Sequence, residues 1–509
     1  MSHPSPHRAK PRPHILLLPV VLGLLALFLR AGPYPLALPA DGRLPGSISK
    51  APGYVPGFPI PFPRTVDIRP RQGSVVAADI DKDGRPELVV SIPSGQILLL
   101  RADGSRVPGW PRTFENLPQP AFPVGDPAVG DLDGDGNDDI VTCVVSGTPM
   151  RRNFLYALNA DGTDLRPDGH HVWPVELRDG GNGYYSCSNI PTLLSDLDGD
   201  GRLEVIRGMT RGTIVALDRI GHPLPGWPVR LGPDANGSSR EVNADLVTAD
   251  LNHDGRQDLV FVESSLAPRL TAVSYNGQPL SGFPMSLPEI VDRQAPAIAD
   301  LDGDGNLEVV QATMPYQGDS IEPAPSPEVG PAIPASLHVL RADGKSAPGW
   351  PRPLQSGAPW GAVVDDIDGD GRQEILQPDG LDLNGFDLAG NALAGFPIDL
   401  HRTFIASQYL EVSPWIVGDL NGDGERDLLQ VWTNLYAGSA YLRVFGLMPS
   451  GKSLRGFPFD ATGMLACSRP ALADLSGDGV NDLVMLVGDG GNGGWILVAW
   501  DLASRGRKL

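Results

Sequence analysis

One nine-residue segment recurs eight times in the chain, and its residue types at their spacing are those of a loop that cages a cation. The segments read DIDKDGRPE, DLDGDGNDD, DLDGDGRLE, DLNHDGRQD, DLDGDGNLE, DIDGDGRQE, DLNGDGERD and DLSGDGVND, beginning at Asp79, Asp131, Asp196, Asp250, Asp300, Asp366, Asp419 and Asp474. Positions 1 and 5 are always Asp, position 6 is always Gly, and position 9 is always Glu or Asp. Oxygens at positions 1, 3 and 5 of a tight loop converge on one point. The backbone carbonyl at 7 adds a ligand and the carboxylate at 9 closes the shell, while Gly at 6 permits a sharp turn with positive φ. All-oxygen ligation with several carboxylates favours Ca2+ over Zn2+, and a roomy, flexible shell favours it over Mg2+.

Each loop supplies one set of candidate ligands, the fourth residue of the set acting through its carbonyl. The first two sets are Asp79, Asp81, Asp83, Arg85, Glu87 and Asp131, Asp133, Asp135, Asn137, Asp139. The third and fourth are Asp196, Asp198, Asp200, Arg202, Glu204 and Asp250, Asn252, Asp254, Arg256, Asp258. The fifth and sixth are Asp300, Asp302, Asp304, Asn306, Glu308 and Asp366, Asp368, Asp370, Arg372, Glu374. The last two are Asp419, Asn421, Asp423, Glu425, Asp427 and Asp474, Ser476, Asp478, Val480, Asp482. Up to eight calcium ions are implied. Ser476 is the poorest ligand at position 3, so the eighth site should be the weakest.

An EF-hand begins in the same way but needs a bidentate Glu at position 12 and flanking helices. Here position 12 is Val90, Thr142, Arg207, Phe261, Gln311, Gln377, Gln430 or Met485, never an acid. Each loop runs into a short branched-aliphatic stretch such as residues 88–92 or 259–262, bounded by Gly, Pro and Ser, which predicts a strand. A second strand comes next and ends in Asp-Gly turns such as 103–104, 161–162 and 343–344, a hairpin signal. Then comes an aromatic-proline element, with Phe58, Trp110, Trp173, Trp227, Phe283, Trp350, Phe396 and Phe457 each followed by proline. A short strand then leads into the next loop. Four strands per unit is the pattern of a propeller blade.

The predicted fold class is therefore all-β, a β-propeller of about four-stranded blades. Eight blades fit best, and seven fit if one unit is irregular. The first aromatic-proline element precedes the first loop and the last unit stops after its third strand, so an N-terminal strand is expected to close the last blade. The aromatic stripe, one ring per unit, reads as packing between blades.

These residues resemble the FG-GAP/VCBS repeat family, the propellers of integrin α-subunit heads and of many exported bacterial proteins. The resemblance covers residues 55–502 and implies calcium ligands at positions 1, 3, 5, 7 and 9 of each loop.

Composition bounds the function. A net charge of −21 excludes nucleic acid as an expected partner. Twenty-nine of the 61 acidic residues occupy positions 1, 3, 5 and 9 of the loops, and the sixteen positive charges of eight divalent ions would bring −21 to −5. Basic residues Arg8, Lys10 and Arg12 precede an apolar run over 15–29, too short to span a bilayer. Residues 1–31 thus read as a signal peptide or an uncleaved membrane anchor, 32–54 as a Pro-rich linker and 503–509 as a basic tail. Export is implied, to a secreted, periplasmic or cell-surface location, with tethering through the N-terminus if the anchor is retained. Of the three cysteines, Cys187 and Cys467 lie at comparable places before their repeats, which leaves a bridge between them open, and Cys143 reads as a buried thiol.

Ligand contacts are expected where the repeat is broken. Insertions fall at about 164–189, which carries His170, His171, Tyr184 and Tyr185, and at 315–335, which is Pro-rich and acidic. No nucleophile elbow, zinc motif or phosphate loop is present, and no catalytic residue is assigned. The reading is a non-catalytic binding, adhesion or scaffold module for protein or glycan. The alternative is a lyase-like, polysaccharide-active enzyme, since some calcium-loaded propellers are lyases.

Overall fold

Each repeat folds into one antiparallel sheet because its apolar runs are short, rich in Val, Ile and Leu, and separated by turn-forming residues. The computed structural model describes residues 53–503 apart from 63–72, 93, 148–151, 170–171, 178–189, 235–236, 238, 266, 292–293, 316–332, 356, 358–359, 381, 400–408, 437–438 and 490–493. The described residues lie within the unit Gly46–Leu509.

There are eight sheets, making an eight-bladed propeller. Blade 1 pairs Ser74–Ala78, Glu87–Ile92, Gln96–Leu100 and Arg112–Thr113 in sequence order from the channel outward. Blades 2 to 6 repeat this order. In blades 7 and 8 the inner position is split: Tyr409–Val412 and Ile416–Gly418 both pair with Asp427–Tyr436, and Met464–Ala466 and Ala471–Ala473 both pair with Asp482–Asp489. The expected closure is observed. Ile60–Phe62 pairs with Trp495–Trp500, Ile60 opposite Leu497 and Phe62 opposite Trp495, so neither partial sheet leaves an open edge.

The core lies between sheets. Leu88 and Val90 of blade 1 pack with Val484 and Leu486 of blade 8, while Val89 and Leu99 face Ile140 and Val144 of blade 2. Side chains alternating with period 2 thus fill two interfaces from one strand. The aromatic stripe sits in these interfaces, Trp110 between blades 1 and 2 and Trp173 between blades 2 and 3. Each of the eight aromatic-proline bonds is cis. Among the described residues, no helix is long and apolar enough to cross a membrane.

Among the cysteines, Cys143 departs from expectation. Cys467 is buried between blades 8 and 1 and forms no disulfide, its Sγ donating to the Leu465 carbonyl at 3.3 Å, so it makes no bridge to Cys187. Cys143, read as a thiol, is disulfide-bonded. Cys187 itself lies outside the described residues.

An ion-pair cluster crosses the ring. Asp126, Asp245 and Arg469 each stand five residues before an acidic loop, in blades 2, 4 and 8. Arg469 donates to both oxygens of Asp245, at 2.5 and 3.0 Å, across 224 residues of chain and between opposite blades of the ring. Its Nε lies 3.6 Å from Asp126, and its guanidinium sits 6.0 Å from the Trp360 ring centroid in blade 6. Arg469→Met is expected to destabilise the ring by about 1–3 kcal/mol, because two carboxylates lose their shared cation. With the pair's side chains 38% and 30% exposed, the lower end applies. Denaturant midpoints should show it, and Arg469→Met with Asp245→Leu should recover part of the loss; an unchanged midpoint in the single variant refutes the brace.

Candidate metal centres

Each loop joins the innermost strand of its blade to the second, and the strand pair fixes both of its ends: in blade 2, Gly130 is paired with Asp139. Within this frame the carboxylates hold the loop in one shape. One oxygen of the position-1 Asp accepts the amide of Gly at position 6 in all eight loops, at 2.8–3.0 Å. The position-5 Asp accepts the amide of position 7 in all eight, at 2.7–3.0 Å. Position 3 accepts the amide of position 5 in seven loops, at 2.8–3.3 Å. In the eighth, where position 3 is Ser476, the Asp478 amide donates to Asp474 at 3.0 Å, a bond to position 1 that loops 2, 4 and 5 also make. The position-6 glycines have φ from +83° to +96°, and a Cβ at Gly84 or Gly136 would meet no atom within 4 Å. Backbone conformation, not space, requires glycine there.

Position 9 carries a role the spacing did not reveal. One of its oxygens accepts the amide of position 2 in every loop, from Ile80 to Glu87 through Leu475 to Asp482, at 2.8–3.1 Å. That bond tethers the loop's start to its end and leaves the second oxygen for the centre. The carboxylate oxygens of Asp79, Asp81 and Glu87 lie within 4.8 Å of one another, as do those of Asp131, Asp133 and Asp139. Asp196, Asp198 and Glu204 converge likewise, as do Asp300, Asp302 and Asp304, and Asp366, Asp368 and Glu374.

The donor set fits a hard divalent cation. Asp79 Oδ1, Asp427 Oδ1 and Asp482 Oδ1 are buried and accept no hydrogen bond. An ionised carboxylate oxygen in that state costs several kcal/mol unless a cation meets it. Burial first, and neighbouring loop carboxylates second, push the position-9 groups up. Asp139, Glu204 and Asp427 reach about 7 and Asp258 and Asp482 about 6; Glu87, Glu308 and Glu374 are raised as well.

These shifts set a pH dependence for the metal-free protein. A carboxyl raised on folding binds more protons folded than unfolded between pH 4 and 7, so its stabilising contribution is present below about pH 4 and is lost as pH rises through its folded pKa. The melting temperature of metal-free protein is expected to fall from pH 5 to pH 7.5. Millimolar calcium should flatten or reverse the trend, because the metal requires the ionised ligands. Metal-free protein whose melting temperature rises over that range contradicts this assignment.

The other candidate ligand residues, His170, His171, Tyr184 and Tyr185, lie outside the described residues. The stretch around them is not all excursion. Asp164 bridges Leu158, Leu165 and Trp173 are buried, and Val175–Leu177 is the outer strand of blade 2. The connection that remains, 178–189, joins this outer strand to the inner strand of blade 3. The second insertion joins the second and third strands of blade 5. Both therefore leave from the face opposite the acidic loops.

An eight-bladed antiparallel propeller with one acidic loop between the first and second strands of each blade is the class that fold and loops define. Within it, residues 79–142, which hold the first two loops, match the model of the FG-GAP-like repeat, and the same loop pattern recurs in the other six blades. Solved structures of similar fold include the Vibrio cholerae biofilm matrix protein Bap1, at 13% identity over 90% of this chain and 92% of that one, TM-score 0.38. The C-terminal domain of Pseudomonas aeruginosa PilY1 shares 12% identity over 82% and 93%, TM-score 0.39. A quinohemoprotein alcohol dehydrogenase of Pseudomonas putida shares 11% over 86% and 77%, TM-score 0.42. No curated protein matches the chain.

Proposed function

We propose that this is an exported calcium-binding propeller that recognises a protein or glycan without catalysing a reaction. The observation that carries the metal reading is the set of buried carboxylate oxygens, on Asp79, Asp427 and Asp482, that no protein donor meets. Calcium at positions 1, 3, 5 and 9, with the position-7 carbonyl, would satisfy them and hold each blade's first hairpin. Its role is to fix structure. Outside the cytoplasm calcium is plentiful enough to keep even weak loops filled.

Recognition is assigned to the face opposite the loops, where the long connections 178–189 and 316–332 leave the sheets. Excursions on a rigid scaffold are where contact residues concentrate. Elemental analysis of protein equilibrated at millimolar calcium should find several ions per chain. A glycan and protein array probed with and without calcium tests the rest. Binding that survives deletion of both long connections would place recognition elsewhere, and a metal-free protein at millimolar calcium would end the reading.

A further inference from the structure

We propose that metal loops of neighbouring blades are coupled, so that calcium in loop 1 favours calcium in loop 2, and calcium in loop 7 favours calcium in loop 8. This rests on the calcium reading and adds to it the regulation of one site by the next. Independently of loop shape, Asp427 Oδ1 and Asp482 Oδ1, in loops 7 and 8, are unpartnered oxygens on residues 1% and 0% exposed.

A continuous run of hydrogen bonds joins a ligand of loop 1 to a ligand of loop 2. Glu87 accepts the Ile80 amide at 2.9 Å, and the Ile80 carbonyl accepts the Asp138 amide at 3.1 Å. Asp138 adjoins Asp139, which accepts the Leu132 amide at 3.0 Å. Ordering Glu87 around an ion therefore fixes the peptide that positions Asp139. Lys82 adds a second link, its Nζ 2.6 Å from Asp138. Lys82 occupies loop position 4 at φ +58°, where six of the loops have glycine. A side chain in that conformation costs on the order of 1 kcal/mol, and here it reaches the next loop. His253, the other non-glycine at position 4, does the same, with Nε2 3.2 Å from Asn306 of loop 5.

Between loops 7 and 8 the link is a side chain. Asn481 donates from Nδ2 to the Asp419 carbonyl at 3.2 Å. Asp419 is the first ligand of loop 7, and Asn481 immediately precedes Asp482, the last ligand of loop 8. One or two such bonds correspond to a coupling of about 2- to 10-fold in affinity.

A double-mutant cycle on the full chain tests this, using the total free energy of calcium uptake from calorimetric titration. Asp423→Ala disables loop 7 and Asp478→Ala disables loop 8. The loss caused by Asp478→Ala should be about 2- to 10-fold smaller once loop 7 is disabled. In an Asn481→Ala background the two losses should become additive. A parallel cycle with Asp83→Ala and Asp135→Ala should lose part of its coupling with Lys82→Gly, a change to the residue most loops carry that keeps the fold. Additive losses in both wild-type cycles overturn the coupling and leave the calcium reading standing. Wild-type protein that takes up no calcium overturns both.

Discussion

Stripping calcium with EDTA at pH 7.5 is expected to lower the melting temperature by roughly 10–20 °C. Metal at a hundredfold excess over its dissociation constant stabilises the folded state by about 2.7 kcal/mol per site. Eight filled loops would then contribute on the order of 20 kcal/mol. Unfolding entropy of about 2.1 cal/mol/K per residue makes this close to 1 kcal/mol per degree for a ring of this length. Weak sites pull the figure down, the eighth most of all, since Ser476 contributes no charge. The loss has a clear electrostatic source. At pH 7.5 the position-9 carboxylates, raised by burial to between about 6 and 7 where the shift is largest, must ionise beside the other acids of their own loop. Re-addition of calcium should restore the melt, and magnesium should restore less, because it demands a tighter octahedral shell. Scanning calorimetry with and without chelator decides it: a melt that does not move means the loops stand without metal.

Most of the architecture was legible in the sequence because it is repetitive. A fixed Asp-x-x-x-Asp-Gly core eight times over locates every first hairpin, and the phase of Phe58 against Asp79 foretells which strand closes the ring. The glycine at position 6 could be read as a backbone requirement from the loop alone. What lay hidden was polar contact between repeats, since a motif repeated along a chain says little about which neighbour's polar groups it touches. The link from Asn481 to loop 7 is of this kind. So is the brace of Arg469 on Asp245, although the three residues of that cluster share one register, five before the loop start, and aligning the repeats on their loops displays it. Cys143 was misread as a thiol, because its chain environment, an apolar strand, does not show its partner. The bridge left open between Cys187 and Cys467 does not form, since Cys467 is turned into the seam between blades 8 and 1.

Gly109→Ala is expected to destabilise the propeller by about 3–5 kcal/mol while leaving its calcium stoichiometry unchanged. Gly109 precedes Trp110 in the aromatic-proline element of blade 1, at φ +93°, and a Cβ there would lie 1.9 Å from the Asp161 carbonyl of blade 2. The clash is with backbone, so it can be relieved only by moving one blade off the next. Trp110 completes the clasp, its indole N–H donating to the Ala160 carbonyl at 2.8 Å in the same turn. Trp173, Trp227 and Trp350 do likewise toward Arg219, Tyr275 and Leu388, each two residues before the glycine of the following blade's turn. The stripe is thus an inter-blade fastener with a polar tip. Trp110→Phe should therefore cost only about 1 kcal/mol, the worth of the bond it removes, because phenylalanine already fills four of the eight equivalent places. Chemical denaturation ranks the two variants. If Gly109→Ala unfolds no earlier than Trp110→Phe, the blades are not held at this seam.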